Sequence, residues 1–479
     1  MRYKLKWFFS VMFGIIFVLI SLAHNINIYF SMTVILYICV FFYVIEDFYN
    51  RAILGVFLFT FFIFLLGRET LVLYFNITST STLSFDKSIS NHAYISLLIS
   101  VLFIFIGYYL SDILGKKKIK SKVFKSVTDY SSNNYLAIRK ASKLVYYITY
   151  SALIITTIDT IRFVKNNNYL EYYVSYASRV PYFIQKIGEM SIIAFLLFLA
   201  TMPSKKECRM PIFIYFLYSA LTLGTQRRYT FAASICIIIL YLIIRNNINS
   251  KGEIWFGKKQ IWICLITIPL LIMLLYTIGH TRFGNEVDKS SIYDTVVALL
   301  DEQGGSINAI KREVMYENSL PSGKIYSLGS MIELFKGNFV SRTLFDSRNY
   351  RGNTIEHAVF GNSLAHALSY LALGERYLAG QGIGSSYIAE VYHDFGYIGL
   401  VLANLFYGIL LGSFYRFEGK SAWSIAISLR MLYSLLLAPR GRFDAFLTEL
   451  FDITNWGTLL IIYAISHFIL NKYRYKNNT

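Results

Sequence analysis

Long apolar runs, each closed by a short polar or charged break, repeat along most of this chain. They run from 13 to 30 residues, around the roughly 17–25 that a helix needs to cross the hydrocarbon of a bilayer. In order they are Trp7–Ala23, Ile26–Ile45, Ala52–Leu66, Ala93–Leu114, Leu144–Phe163, Ile187–Met202, Pro211–Leu223, Tyr229–Ile244, Ile261–Ile278, Ser386–Tyr415, Trp423–Ala438 and Asn455–Leu470. The pattern predicts about twelve transmembrane helices, the third reaching as far as Phe75 and the seventh short. Helices are expected rather than strands, because isolated strands leave backbone groups unsatisfied in lipid. The first run follows Arg2, Lys4 and Lys6, as a signal peptide would. No small-residue cleavage site follows it and a second run begins almost at once, so it reads as a retained helix.

The rhythm fails once. Between His280 and Ile383 the apolar repeat stops for roughly 100 residues, far beyond ordinary loop lengths. The predicted organisation is an all-α polytopic membrane protein: residues 1–279 with helices 1–9, a large, mostly helical loop over 280–383, and residues 384–479 with helices 10–12. Long loops within a compact array of helices usually carry function, so the loop and its return to the membrane are where chemistry is sought.

Composition narrows the class. Of 479 residues 55% are hydrophobic and only 15% charged, against about 25% charged in soluble domains, which excludes a soluble globular protein. The net charge of +18 does not point to nucleic acid, because the lysines flank apolar runs. With the N-terminus inside, the lysine-rich segments Lys116–Lys125, Ser204–Arg209, Lys251–Lys259 and Lys472–Lys476 all fall on the cytoplasmic side. That agrees with the positive-inside rule, places both termini in the cytoplasm and puts the long loop outside. The four cysteines (Cys39, Cys208, Cys236, Cys264) lie in predicted spans or a short basic loop, so no disulfide framework or Cys-based metal site is indicated.

Two arginine pairs sit where orientation does not explain them. Arg227 and Arg228, in GTQRRY, and Arg440 and Arg442, in APRGRFD, fall in short outer loops, and Arg282 closes the ninth span. A guanidinium keeps its charge and matches a phosphate with two parallel donors, so these five residues are candidate diphosphate ligands, able to converge if the hairpins bundle. The plainer reading is arginines snorkelling to ordinary anionic lipid. Glu390, His393 and Asp394 follow the Gly-rich GQGIGSS and share neighbouring positions of one helix face, where a carboxylate or imidazole can take a proton from a hydroxyl. The alternative there is a capping and salt-bridge cluster. His357 and His366 lie nine residues apart on the outer loop, a spacing unlike the i, i+4 pairs that bind zinc, so each is a catalytic or substrate-contacting candidate and no metal or cofactor is expected. Asp159 and Arg162 are expected to pair with each other. Tyr169, Tyr172, Tyr173, Tyr176 and Tyr182 read as an interfacial belt that also suits sugar stacking.

GTQRRYTFAASI at an outer hairpin, the long loop, then GQGIGSSYIAEVYHDFGYIGL and the PRGRFD hairpin together resemble bacterial O-antigen polymerases of the Wzy type, related in plan to O-antigen ligases. The resemblance implies a GT-C-like fold in the bacterial inner membrane. It implies donor and acceptor glycans carried on undecaprenyl diphosphate and a chain-length regulator as a further partner. It also implies inverting glycosyl transfer at the periplasmic face, with arginines steadying the departing diphosphate and an acid or histidine taking the acceptor proton. A ligase is the nearest alternative. A flippase or transporter is the other, although transporters usually place charge in a midplane cavity.

Overall fold

The computed structural model describes residues 12–477 apart from 13, 22, 24–25, 78–83, 122–129, 249–252, 282–290, 338, 349, 415–416 and 418–419. The expected start of the first span and Arg282 lie outside the described residues. Among those described there are helices and turns but no strand. After a helical stretch over 14–21 come α1 (Ile28–Glu46), α2 (Phe48–Phe75), α3 (Lys87–Ser121), α4 (Asn133–Asn167), α5 (Tyr182–Ala200), α6 (Lys205–Leu221), α7 (Arg228–Ile248) and α8 (Lys258–Thr281). The long loop contributes α9 (Ile292–Gln303), α10 (Ile307–Met315), α11 (Gly329–Gly337), α12 (Ile355–Phe360) and α13 (Leu364–Leu373). The chain closes with α14 (Tyr387–Phe414), α15 (Ala422–Leu436), α16 (Ala445–Phe451) and α17 (Ile453–Asn477).

Eight helices among the described residues are long and apolar enough to cross a membrane: α1 to α5, α7, α14 and α17. The chain is thus an all-helical, polytopic membrane protein. The seventh and eleventh expected spans appear as the shorter helices α6 and α15, of 17 and 15 residues.

The third expected span runs on to Phe75 through Arg68 and Glu69, passing a π-helical turn at Phe62–Leu66. The loop supplies the reason. Arg68 Nε lies 2.9 Å from Asp301 of α9. Lys311 Nζ of α10 lies 2.6 Å from Glu69, which also accepts the Tyr94 hydroxyl at 2.5 Å. Each charge that would end the helix in lipid is neutralised by a loop partner, so the helix continues. Buried pairs of this kind add little net stability, yet removing one partner typically costs about 3–5 kcal/mol because the other charge stays behind.

The loop is therefore sewn into the bundle. Ile307, Ala309 and Ile310 of α10 are fully buried, and α10 packs against α3 and α14. Asp394 of α14 accepts the Tyr326 and Ser327 amides at 3.1 and 2.7 Å, and Asp444 accepts the Met331 amide at the start of α11 at 2.7 Å.

The most extensive helix pairing joins α14 to α3 through small residues. A Cβ built on Gly107 would strike the Leu405 carbonyl, one on Gly408 the Ile104 carbonyl, and one on Gly412 would lie 2.7 Å from Ser111 Cβ. Gly408 and Gly412 are four apart, as are Gly107 and Ser111, the small-xxx-small spacing that lets membrane helices approach closely. Leucine at position 408 should force these helices apart. We expect Gly408→Leu to cost at least about 1–3 kcal/mol, read as a lowered melting temperature and aggregation on size exclusion in detergent.

Candidate functional site

The arginines expected to gather in one place are divided by the fold into three. Arg228 opens α7 and grips Glu302 of α9 with both terminal nitrogens, at 2.7 and 3.2 Å, while donating to the Leu275 carbonyl of α8 at 3.0 Å. Arg440 donates to Gln303, the next residue of α9, and lies 5.6 Å over the Phe64 ring. These two, with Arg68 on Asp301, surround the C-terminal end of α9. Arg227 points elsewhere, stacking 3.9 Å above Tyr172. Tyr172 stacks in turn on Tyr176, at a centroid distance of 4.7 Å.

Arg442 occupies the third place. Gly441 between it and Arg440 is extended (φ −130°, ψ −171°), and side chains two apart across an extended residue leave in separate directions only when the flanking backbone turns; here Arg440 ends a 3₁₀ turn. Arg442 therefore points to the loop, with Nη1 2.7 Å from Glu333 Oε2 and Nη2 2.9 Å from Ser363 Oγ. The other Glu333 oxygen accepts the Asn362 amide at 3.2 Å and lies 3.5 Å from His357 Nε2. His357 stacks on His366 with ring centroids 3.7 Å apart.

Both imidazoles are held through Nδ1. His357 Nδ1 donates to the Gly352 carbonyl at 2.9 Å. The Tyr377 hydroxyl spends its one proton on the Thr354 carbonyl at 3.1 Å, so it accepts from His366 Nδ1 at 2.9 Å. That assigns the proton of neutral His366 to Nδ1 and leaves the Nε2 lone pair available. The aromatic segment reaches the same place: Asn353 donates its backbone amide to Tyr173 at 3.0 Å, tying the stretch that carries Arg227's partner to the stretch that carries His357.

Burial, reinforced by the neighbouring His357 and Arg442 charges, lowers His366 from 6.5 to about 3. Burial alone would raise Glu333, but its bond to His357 and its pairing with Arg442 outweigh that and hold it at about 2, below the usual 4.5. The site at neutral pH thus combines a fixed carboxylate, a guanidinium and a neutral imidazole. Both shifts act on stability in one direction. The unfolded chain takes up protons that the folded His366 refuses below 6.5 and that the folded Glu333 refuses below 4.5. Stability from these groups is complete above 6.5 and is lost as pH falls toward 3 and then 2. The melting temperature should drop on acidification through this window, and His366→Phe should flatten the upper part of that drop.

Glu390, His393 and Asp394 do not form one group. Glu390, 1% exposed, accepts Ser385 Oγ and the Phe443 amide, both at 2.8 Å, and so fixes the backbone beside Arg442. His393 Nδ1 pairs with the buried Glu313 of α10 at 3.1 Å, and Asp394 holds the loop amides. Neighbouring positions on the helix face are correct; each side chain is claimed by a different element packed against that face. The expected Asp159–Arg162 pair is also replaced, since Asp159 accepts Tyr176, Ser178 and the Arg179 amide at 3.1, 2.8 and 3.2 Å. Sequence reasoning missed Glu333, Ser363 and Tyr377. Glu333 is the one acid of α11, which was the signal available.

Compared with known proteins, residues 5–473 match the family described as O-antigen polysaccharide polymerase Wzy. The chain belongs to that family. No curated protein and no solved structure matches it. Wzy membership over nearly the whole chain assigns it to O-antigen polysaccharide polymerisation, and the resemblance first carried by GTQRRY, GQGIGSS and PRGRFD extends to the full set of helices.

Proposed function

We propose that the protein polymerises oligosaccharide repeat units carried on undecaprenyl diphosphate, at the periplasmic face of the bacterial inner membrane, with both termini cytoplasmic. The observation that carries this reading is the cluster of Arg442, Glu333, His357 and His366 where the long loop meets the α15–α16 turn. The acceptor hydroxyl attacks the anomeric carbon of the donor sugar with inversion. The carbon–oxygen bond to the diphosphate breaks, the diphosphate leaves with the electron pair, and the hydroxyl proton passes to His366 Nε2. Charge grows on the leaving group, and donors already in place stabilise it without reorganising.

Arg442 is the first ligand for that diphosphate, because its half-buried fork faces the histidines; Arg440 stays at the end of α9 and Arg227 on Tyr172, each apart from it. Arg228 acts chiefly as the clamp between α7 and α9 through Glu302. Glu390 holds the Phe443 backbone and so positions Arg442. His357 and Glu333 share the charge left when a proton arrives, and His393 ties α14 to α10. The tyrosines beside Arg227 offer rings for stacking sugars. Membrane lipid surrounds the helices, and a chain-length regulator is a partner expected from family resemblance.

Purified protein given a defined lipid-linked repeat unit should yield a glycan ladder and free undecaprenyl diphosphate. A single transfer to another acceptor without extension would instead mark a ligase, and movement of lipid-linked units across a vesicle without new linkages a flippase.

A further inference from the structure

At the far end of α6 from Arg227 the surface holds a second feature. The 17 residues of α6 span about 25 Å, so Lys205 at its start lies near the opposite end of the bundle from the arginine–histidine cluster. There α6, α7 and the segment before α8 enclose a groove of about 600 Å³. Its sides are Phe213 and Phe216 from α6 and Ile235 and Ile239 from α7, and Trp255 closes its end. Lys205, Arg209 and Gln260 line its mouth.

Three observations identify its occupant. First, the groove opens among apolar side chains that face outward: Met210, Phe213 and Phe216 are 60%, 52% and 41% exposed on a helix of a membrane protein. Second, its mouth is cationic. Lys205 lies 5.7 Å from the Trp255 ring, Arg209 is exposed, and the nearby Glu207 is engaged by Arg139 at 3.3 Å and Ser204 at 2.8 Å. The start of α6 adds the positive end of the helix dipole. Third, Trp255 is 4% exposed and its indole nitrogen has no hydrogen-bond acceptor among the described residues, although indoles buried this deeply usually find one.

We propose that this groove binds an anionic diacyl phospholipid from the leaflet opposite the arginine–histidine cluster. The phosphate sits at Lys205 and Arg209, and one acyl chain lies between α6 and α7. Ordinary phospholipid is the occupant rather than the polyprenyl donor, since the donor's diphosphate is wanted at the other end of α6. The groove and its cationic mouth stand apart from the reaction proposed above; only the exclusion of the donor rests on that reading.

The test uses full-length protein in detergent, titrated with phosphatidylglycerol or phosphatidylcholine and read by native mass spectrometry. One phosphatidylglycerol should bind in preference to phosphatidylcholine. The double variant Lys205→Gln/Arg209→Gln should weaken phosphatidylglycerol roughly 25-fold, the usual effect of removing two cations beside an anionic headgroup. Ile239→Trp, which fills the groove and leaves the charges, should abolish binding at an unchanged melting temperature. Equal binding of the two lipids, or retention of the preference in the double variant, would overturn the proposal. So would undecaprenyl phosphate displacing phosphatidylglycerol at equal concentration.

Discussion

Arg442→Lys should slow extension of the glycan ladder by roughly 100- to 1000-fold, the usual consequence of losing one preorganised donor at a site of developing negative charge. The reason is geometric. Arg442 reaches Glu333 with one terminal nitrogen and Ser363 with the other, at 2.7 and 2.9 Å. A lysine ammonium keeps the charge but offers one point where the fork offered two, so it can neutralise Glu333 or face the diphosphate and not do both in register. Initial rates with purified variant and lipid-linked repeat unit measure the effect, with a thermal melt run in parallel to separate chemistry from folding. Wild-type rates in a stably folded Arg442→Lys would remove Arg442 from the mechanism. Glu390→Gln is the comparison variant. Because Glu390 holds the Phe443 amide from a buried position, its loss should lower melting temperature and rate together.

How much of this was legible in the chain differs between helices and contacts. Apolar periodicity placed the tenth expected span at Ser386–Tyr415, and the helix is Tyr387–Phe414. It did so because a long apolar run in lipid has one backbone solution. The third span was expected to reach Phe75 and does, but what lets it pass Arg68 and Glu69 is Asp301 and Lys311, far away in sequence. No local window contains those partners. The same limit governs the candidate site. Residue type and position singled out Arg228, Arg440 and Arg442, but which of them faces α9 and which faces the histidines is set by how the α15–α16 turn lies on the loop. Likewise, the nine-position spacing of His357 and His366 gave no reason to expect them side by side. A break at Gly361 and Ser363 between α12 and α13 folds them back until the rings stack.

That stacking carries the second large effect. His366→Ala should reduce polymerisation by roughly 100- to 10,000-fold, the span over which positioned proton acceptors act. Two features distinguish removal of a proton acceptor from general damage. Nδ1 of His366 is fixed as a donor by Tyr377, so Tyr377→Phe should lower the rate by a smaller factor, by releasing the ring without removing it. The depressed value of about 3 keeps His366 neutral and able to accept a proton through mildly acidic pH, so the rate of folded enzyme should show no loss centred on the ordinary histidine value of 6.5. Raising the polarity around the ring, by replacing its stacking partner in His357→Ser, should relieve part of the burial that depresses it and move the acid limb upward. An acid limb already centred near 6.5 in the wild type, or full activity in His366→Ala, would assign the proton to another group. The remaining acceptor in the cluster would then be His357, whose Nε2 faces Glu333 at 3.5 Å.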